Sequence, residues 1–250
     1  MRANSQMTKR TQRFIVISDT HGSEADAKAV AAMLDFVKAF KPTIRIHAGD
    51  LFDFACLRRN ASDQEKRQPI RDDIDAGLQL IGDFKPTHFL RGNHDERLWD
   101  LLKSDDGNLR DVGNEWINQI DGKLRGVHML PYDKRKGVLK IGNMSFIHGY
   151  HGGLNAARAA ALVYGSVIAG HVHAIDVANI PGIEPRTGRT IGCLCHISQD
   201  YNRAHANTLR QQHGFCFGFI TPSGAYQTFQ AESLGGSWFF PTEFRECKPG

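Results

Sequence analysis

The sequence has no hydrophobic run that approaches the roughly 20 residues of a membrane-spanning helix. Its first residues, MRANSQMTKRTQR, are polar and basic, and the apolar run that follows, FIVI, is too short for the core of a signal peptide. We therefore predict a cytoplasmic protein that has no membrane partner.

Cysteine is scarce, and its spacing is not that of paired ligands. The five cysteines are odd in number and include no CxxC pair, which favours free thiols in a reducing compartment. The segment GCLCH (192–196) has no second ligand pair at zinc-finger spacing. We interpret Cys193 and Cys195 as small residues on a buried strand.

A large excess of charge is also absent. The formal net charge is +4, and the first thirteen residues alone contribute four positive charges, from Arg2, Lys9, Arg10 and Arg13. The rest of the chain is close to neutral, so it lacks the global field of a nucleic-acid binder. We expect residues 1–13 to be a flexible basic segment, and a nucleic-acid-binding module led by this segment is one alternative hypothesis.

The first half of the chain alternates strand and helix patterns. The apolar segments FIVIS (14–18), IRIHAGD (44–50) and THFLRGN (87–93) predict strands, and residues 24–40 and 70–84 between them have helical periodicity. This alternation predicts a largely parallel sheet with helices on its faces.

From about residue 124 the pattern changes to short strands separated by turn residues. VLKIGNMSFIHG (138–149) predicts a hairpin with Gly142 and Asn143 at its turn. IDVANI, TIGCLCHI, FCFGFI and AYQTFQ predict further strands, and we expect a second, more antiparallel sheet. The predicted fold is α/β: a two-sheet α/β sandwich with mixed sheets and outer helices, over residues 14–231. An aromatic tail, 232–250, is expected to pack on it.

Polar residues that can bind metals collect where the predicted strands end. In open α/β sheets, sites form at the carboxyl ends of strands, so we expect the five segments to meet at one rim. Each motif alone is common in turns, but chance explains the set poorly. The residues are Asp19 and His21; Asp50 and Asp53; Asn93, His94 and Asp95; His148; and His171 and His173.

The order of these motifs resembles that of the calcineurin-like metallophosphoesterases, namely D-x-H, G-D-x-x-D, G-N-H-D/E, a lone H and G-H-x-H. The resemblance covers residues 14–174, and every motif position is present. It implies an αββα fold and a pair of divalent metal ions. One ion would be held by Asp19, His21, Asp50 and His173, and the other by Asp50, Asn93, His148 and His171, with Asp50 bridging.

The donor types agree with this implication. Imidazole, carboxylate and amide oxygen form a mixed set that suits manganese, our first choice, or iron, zinc or nickel better than an all-oxygen magnesium cage. A pair of such ions can bind a phosphate and lower the pKa of a bridging water. By resemblance, His94 protonates the leaving oxygen and Asp53 orients its ring. We interpret Asp95, which precedes a predicted helix, as the N-cap of that helix.

The substrate class is narrowed by one departure from the family's pattern. The protein phosphatases of the family usually have Arg directly after G-D-x-x-D, whereas this chain has Phe54. The chain looks more like the nuclease and phosphodiesterase branch, so we expect a phosphodiesterase whose substrate is a phosphoester of DNA or nucleotides. A phosphomonoesterase is the enzymatic alternative, and a scaffold that has lost catalysis is the alternative of another class. The sequence leaves the number of subunits open.

Overall fold

The structure is a computed structural model, and it describes residues 10–197 and 210–241. In this part of the chain two β-sheets face each other and helices lie on their outer faces, which confirms the predicted α/β sandwich with mixed sheets. The strands are β1 (Gln12–Ile17), β2 (Ile44–His47), β3 (His88–Leu90), β4 (His128–Leu130), β5 (Leu139–Ile141), β6 (Met144–Ile147), β7 (Val167–Ala169), β8 (Ile175–Ile180), β9 (Arg186–Ile191), β10 (Gly214–Ile220), β11 (Tyr226–Leu234) and β12 (Ser237–Trp238). The α-helices are α1 (Ala27–Phe40), α2 (Asp63–Lys66), α3 (Ile70–Phe84), α4 (Glu96–Asp100), α5 (Gly107–Lys123) and α6 (Ala156–Tyr164).

The first sheet has the strand order β12-β11-β10-β1-β2-β3-β4. Strands β1 to β4 are parallel, because α1, α3 and α5 carry the chain back between successive strands. The remaining strands pair antiparallel, with β10 beside β1. The strand and helix alternation predicted for residues 14–93 is therefore present.

The second sheet has the order β5-β6-β7-β9-β8. Strands β5 and β6 form the predicted hairpin, in which Ile141 pairs with Met144 across the turn at Gly142 and Asn143. Strands β6, β7 and β9 are parallel neighbours, and β8 pairs antiparallel with β9. The parallel centre places the carboxyl ends of β6 and β7 side by side.

Alternate residues of β1 contribute to two different hydrophobic cores. Phe14 and Val16 belong to the core between the sheets, where the ring of Phe14 lies 5.5 Å from that of Phe146. Ile15 and Ile17 belong to the core beneath α1, α3 and α5. A strand buried on both faces requires apolar residues at successive positions, which explains the unbroken run FIVI.

Two strands lie in a different sheet from the one expected. FCFGFI and AYQTFQ form β10 and most of β11, and they extend the first sheet beyond β1 instead of the second sheet. The pairing of β1 with β10 joins residues about 200 positions apart, for example Val16 with Cys216. Apolar alternation predicts a strand but does not identify its partner, which explains the error.

The predicted strand TIGCLCHI ends earlier than expected. Strand β9 stops at Ile191, and Gly192, with φ of +79°, turns the chain out of the ladder. Cys193 and Cys195 are buried as expected, but they form only isolated bridges, to His213 and Ala25. These cysteines therefore lie in a loop beside the candidate site and not on a strand.

Both ends of the described chain pack on the first sheet. Strand β1 starts within the predicted basic segment, and Arg13 donates a hydrogen bond to the carbonyl of Phe40 (2.8 Å). In the tail, Trp238 stacks on Phe215 with 5.6 Å between ring centroids. Residues 1–9 and 242–250 of the predicted terminal segments lie outside the described residues. Among the helices that the structure describes, none has the length and apolar character needed to span a bilayer.

Candidate metal centre

Loops from both sheets meet at the candidate site. Asp19, Asp50 and Asn93 follow strands β1, β2 and β3 of the first sheet, and His148 and His171 follow β6 and β7 of the second. The N–H of His171 donates to the carboxylate of Asp19 (2.9 Å), which joins the loops of the two sheets. The five sequence segments thus meet at one edge of the sandwich.

The backbone of these loops is strained where the polar side chains are presented. Left-handed backbone disfavours residues other than glycine by about 1–2 kcal/mol each, although Asp and His tolerate it better than branched residues do. Such strain persists only where surrounding contacts hold it, and it is common at functional sites. The residues with φ between 52° and 74° are Asp19, His21, Asp50, His171 and His173.

A first group of donor atoms surrounds Nε2 of His173. This nitrogen lies 3.2 Å from Nε2 of His21 and 3.3 Å from Oδ1 of Asp19. Nε2 of His21 lies 3.9 Å from Oδ2 of Asp50. These four side chains direct their donor atoms into one small buried volume.

A second group lies on the other side of Asp50. Oδ2 of Asp50 is 3.3 Å from Nε2 of His148, and the same nitrogen is 3.0 Å from Oδ1 of Asn93. The ligand atoms of Asp50, His148 and His171 all lie within 4.8 Å of one another. Oδ2 of Asp50 is therefore common to both groups.

Three imidazoles of the cluster are oriented through Nδ1. In each ring Nδ1 contacts a group outside the cluster and Nε2 points inward, which is the usual arrangement of metal-ligating histidine. The Nδ1 partners are the Asp53 carboxylate for His21 (2.8 Å), the Ala48 carbonyl for His148 (2.9 Å) and the Cys195 thiol for His173 (3.7 Å).

The electrostatics of the cluster favour cations. Burial would raise the pKa values of Asp19 and Asp50, but neighbouring histidines outweigh it and hold both below the usual range. Burial would lower the pKa of His148, but the Asp50 carboxylate outweighs it and raises that pKa to about 9. Two fully buried carboxylates, four imidazoles and an amide oxygen fit divalent cations that accept both nitrogen and oxygen ligands.

His94 and Asp53 lie beside the donor cluster and face a cavity. Nδ1 of His94 contacts Oδ1 of Asp53 at 2.7 Å, and Nε2 lies 3.9 Å from Oδ2 of Asp50. The same Asp53 oxygen also contacts His21. Burial would raise the pKa of Asp53, but its hydrogen bonds to the two histidines lower it below the usual range. Asp53 therefore orients a cluster imidazole as well as His94.

Asp95 directly precedes α4 as predicted, but its side chain does not cap that helix. Its backbone is helical and its side chain makes no capping hydrogen bond. The buried carboxylate instead accepts N–H groups from Asp50 (2.8 Å), Phe52 (2.9 Å) and Gly92 (2.7 Å). Main-chain N–H groups that are removed from water need acceptors. The carboxylate of Asp95 accepts the loop N–H groups and not those at the start of α4. Asp95 thus fixes the loop that presents Asp50.

Asp73 on α3 supports the adjacent loop in the same way and was not among the predicted site residues. Its buried carboxylate accepts N–H groups from Ser23 (3.2 Å), Asp53 (3.0 Å) and Phe54 (2.8 Å). Its sequence context, IRDDIDAG, is that of a helix surface, so nothing local indicates this role. Asp95, by contrast, stands within the G-N-H-D motif, which places it near the site but does not predict its contacts.

Gly170 allows the second sheet to approach the first at this point. A Cβ atom at this position would lie 2.4 Å from Oγ of Ser18 and 2.7 Å from Oδ2 of Asp19. Such distances are too short for any side chain. The glycine before His171 is therefore a requirement of the close contact between the loops.

The cluster opens into a cavity of about 590 Å³. Its walls include His21, Asp50 and His173 from the cluster, His94 and Asp53 beside it, and six residues between positions 55 and 68, around α2. Arg58 and Arg97 supply positive charge to the same walls. The cavity therefore combines groups that can bind cations, the imidazole of His94, whose Nε2 makes no hydrogen bond within the described residues and lies 3.9 Å from Oδ2 of Asp50, and two arginines.

Comparison with known proteins identifies the family of the chain. Residues 12–174 match the calcineurin-like phosphoesterase family. The chain belongs to that family. The chain is 29% identical over 198 residues to the Gene 54 protein of Mycobacterium phage D29, covering 71% of this chain and 72% of that protein. A mutant Vps29 from Entamoeba histolytica has a TM-score of 0.49 and 16% identity, with 91% of this chain and 96% of that chain covered. A metallophosphoesterase from Sphaerobacter thermophilus has a TM-score of 0.45 and 15% identity, covering 89% and 88%.

Replacement of the shared carboxylate tests the cluster directly. If each donor group holds one Mn²⁺ ion, Asp50→Asn should reduce the bound Mn²⁺ from two ions per chain to at most one, because both donor groups lose the same anionic oxygen. Elemental analysis after dialysis and titration calorimetry measure this. Asp63→Asn, whose carboxylate side chain is 89% exposed, is the control. Retention of two ions by Asp50→Asn, with native circular dichroism, would contradict the assignment.

Asp95→Asn tests the support of the Asp50 loop. An asparagine has only one acceptor oxygen, so at least one buried N–H loses its partner, at a cost of about 1–3 kcal/mol in the free energy of unfolding. We also expect Mn²⁺ affinity to fall by about 10–100-fold, as for other groups that orient metal ligands. Urea unfolding and calorimetry measure the two effects. Asp100→Asn, at the exposed end of α4, is the control, and an unchanged Mn²⁺ affinity in Asp95→Asn would argue against the role.

Proposed function

We propose that the phosphoesterase hydrolyses phosphodiester bonds, with DNA or nucleotides as its substrates. The observation that carries the proposal is the pair of donor groups that share Oδ2 of Asp50. In the proposal each group holds one divalent ion, and manganese is the first choice. The first ion has Asp19, His21, Asp50 and His173 as ligands, and the second has Asp50, Asn93, His148 and His171. Such a pair, when bound, supplies a Lewis acid for the phosphate and activates the attacking water.

His94 is the proposed general acid. Its Nδ1 is held by Asp53, which leaves Nε2 free to give a proton to the leaving oxygen. An alkoxide is a poor leaving group, and a positioned acid accelerates its departure by about 10²–10⁴-fold. Asp53 stabilises the protonated ring and keeps it oriented, as a carboxylate does behind a catalytic histidine.

Two features support a diester substrate. The position after Asp53 carries no cation, because Phe54 is buried and its ring stacks on Phe52 with 5.0 Å between centroids. Two divalent ions with the carboxylates of Asp19 and Asp50 and a hydroxide leave about one positive charge. A phosphodiester monoanion would neutralise that charge, so the charge of the proposed centre is compatible with a diester substrate.

A reducing compartment is part of the proposal. The four cysteines in the described ranges, Cys56, Cys193, Cys195 and Cys216, are free thiols. Cys195 contacts a proposed metal ligand, His173. Oxidation of that thiol would disturb the orientation of His173, so a reducing, cytoplasmic setting fits the site.

A panel of model esters tests the function. With Mn²⁺ we expect hydrolysis of bis-p-nitrophenyl phosphate to exceed that of p-nitrophenyl phosphate in kcat/KM, and chelation to abolish both activities. Single- and double-stranded DNA complete the panel. A preference for p-nitrophenyl phosphate would favour the phosphomonoesterase alternative. A protein that binds no metal and hydrolyses none of these esters would favour the scaffold alternative.

The proposed acid is tested by the leaving group. We expect His94→Ala to keep its Mn²⁺ content and to slow thymidylyl-thymidine, which releases an alkoxide, far more than bis-p-nitrophenyl phosphate, which releases a stable phenolate. A loss of about 10²–10⁴-fold is expected for the dinucleotide. His128→Ala, an exposed histidine on β4, is the control. Equal slowing of both esters would refute the acid role.

A further inference from the structure

Arg97 lies on the cavity wall beside the proposed general acid. It is on α4, three residues after His94, and its Nη1 donates to the main-chain carbonyl of Asp53 at 2.7 Å. Nδ1 of His94 lies 3.2 Å from the same carbonyl oxygen. Because the two side chains share this oxygen, the guanidinium is held next to the imidazole.

The charge of Arg97 has no carboxylate partner. Within residues 10–197 and 210–241, its guanidinium makes one hydrogen bond, to the main-chain carbonyl of Asp53, and no carboxylate lies within ion-pair distance of it. The other cavity arginine, Arg58, is neutralised by Glu65 at 2.6 Å. Arg91, near the start of the same helix, faces Glu96 at 3.4 Å and the ring of Trp99. Arg97 is therefore the arginine whose remaining N–H groups are available to an anion in the cavity.

The imidazole separates this arginine from the metal-ligand cluster. Nε2 of His94 faces Asp50 (3.9 Å), whereas Nδ1, the other ring nitrogen, faces Asp53, where Arg97 binds. A phosphate that is attacked at the cluster lies on the Nε2 side. The guanidinium is thus offset from the scissile phosphate and lies on the cavity wall behind the proposed acid.

An offset, half-buried guanidinium with free N–H groups is suited to a phosphate, which it can bind with two parallel hydrogen bonds. We propose that Arg97 binds a second phosphate group of the substrate, next to the scissile one, and so selects substrates that carry more than one phosphate. Nucleoside bisphosphates and oligonucleotides share this chemistry. The inference rests on the proposed function for the position of the scissile phosphate.

Equilibrium binding tests the second phosphate without turnover. Titration calorimetry of the full chain with Mn²⁺ would compare thymidine 3′,5′-bisphosphate with the 3′- and 5′-monophosphates. We expect the bisphosphate to bind about tenfold or more tightly than either monophosphate, since a hydrogen bond to a charged group contributes about 1.5–3 kcal/mol. Arg97→Gln should remove this preference, and Arg97→Lys should retain part of it. Equal affinities for the three nucleotides in the unmodified protein would overturn the proposal.

Matched variants and substrates separate this role from a structural one. Arg158→Gln removes an exposed charge from α6 and should leave the preference intact. If Arg97 only braced the Asp53 loop, Arg97→Gln would weaken the bisphosphate and the monophosphates equally, and the inference would be wrong. A tetrathymidylate that binds more tightly than the bisphosphate, and loses more affinity than the bisphosphate in Arg97→Gln, would identify a nucleic-acid strand as the source of the second phosphate. Equal affinities for the tetrathymidylate and the bisphosphate would identify a nucleotide as the source.

The p-nitrophenyl ester of thymidine 5′-phosphate, with and without a 3′-phosphate, distinguishes failure of this inference from failure of the proposed function. Selective bisphosphate binding without hydrolysis of either ester would leave the Arg97 site standing and reject the diesterase. Hydrolysis of both esters, with Arg97→Gln slowing them equally, would reject the Arg97 site alone.

Discussion

The buried carboxylate of Asp50 is the group on which the arrangement of the site depends. Its Oδ2 lies 3.3 Å from Nε2 of His148 and 3.9 Å from Nε2 of His21, and these two histidines follow strands of different sheets. A carboxylate removed from water is strongly disfavoured unless positive charge or donors surround it. Imidazoles, and cations when bound, supply this positive charge. They surround Asp50 only while the two sheets stay face to face, because the imidazoles come from loops of both sheets. The core between the sheets, centred on Phe14 and Phe146, is therefore also the support of the site.

The loops that present the site are held by further buried carboxylates and not by regular secondary structure. Asp95 and Asp73 each accept three main-chain N–H groups from segments that begin or end at site residues. These contacts offset the strain of left-handed backbone at Asp50 and His21. They also connect helices α3 and α4 to the geometry of the cavity, so substitutions in those helices reach the site through hydrogen bonds.

Much of the site could be predicted because each of its side chains follows an apolar run. Such runs mark strands, and parallel strands end at one edge, so the sequence predicts that Asp19, Asp50 and Asn93 lie close together. The contacts of Asp95 could not be predicted in this way. Its local sequence fits a helix cap equally well, and only the nearby Asp50 loop decides between the two. The pairing of β10 with β1 was missed for a similar reason, since alternation is a property of one strand and pairing is a property of two.

The sequence alone predicts the α/β class, the positions of most strands and helices, and the set of polar side chains at the ends of the strands. Periodicity and turn residues act over a few positions, so they leave a readable trace in the chain. The folded chain was needed to reveal which sheet receives β10 and β11, where the Asp95 and Asp73 carboxylates point, and that Arg97 shares a carbonyl with His94. These features depend on contacts between residues far apart in the sequence, which no local pattern records.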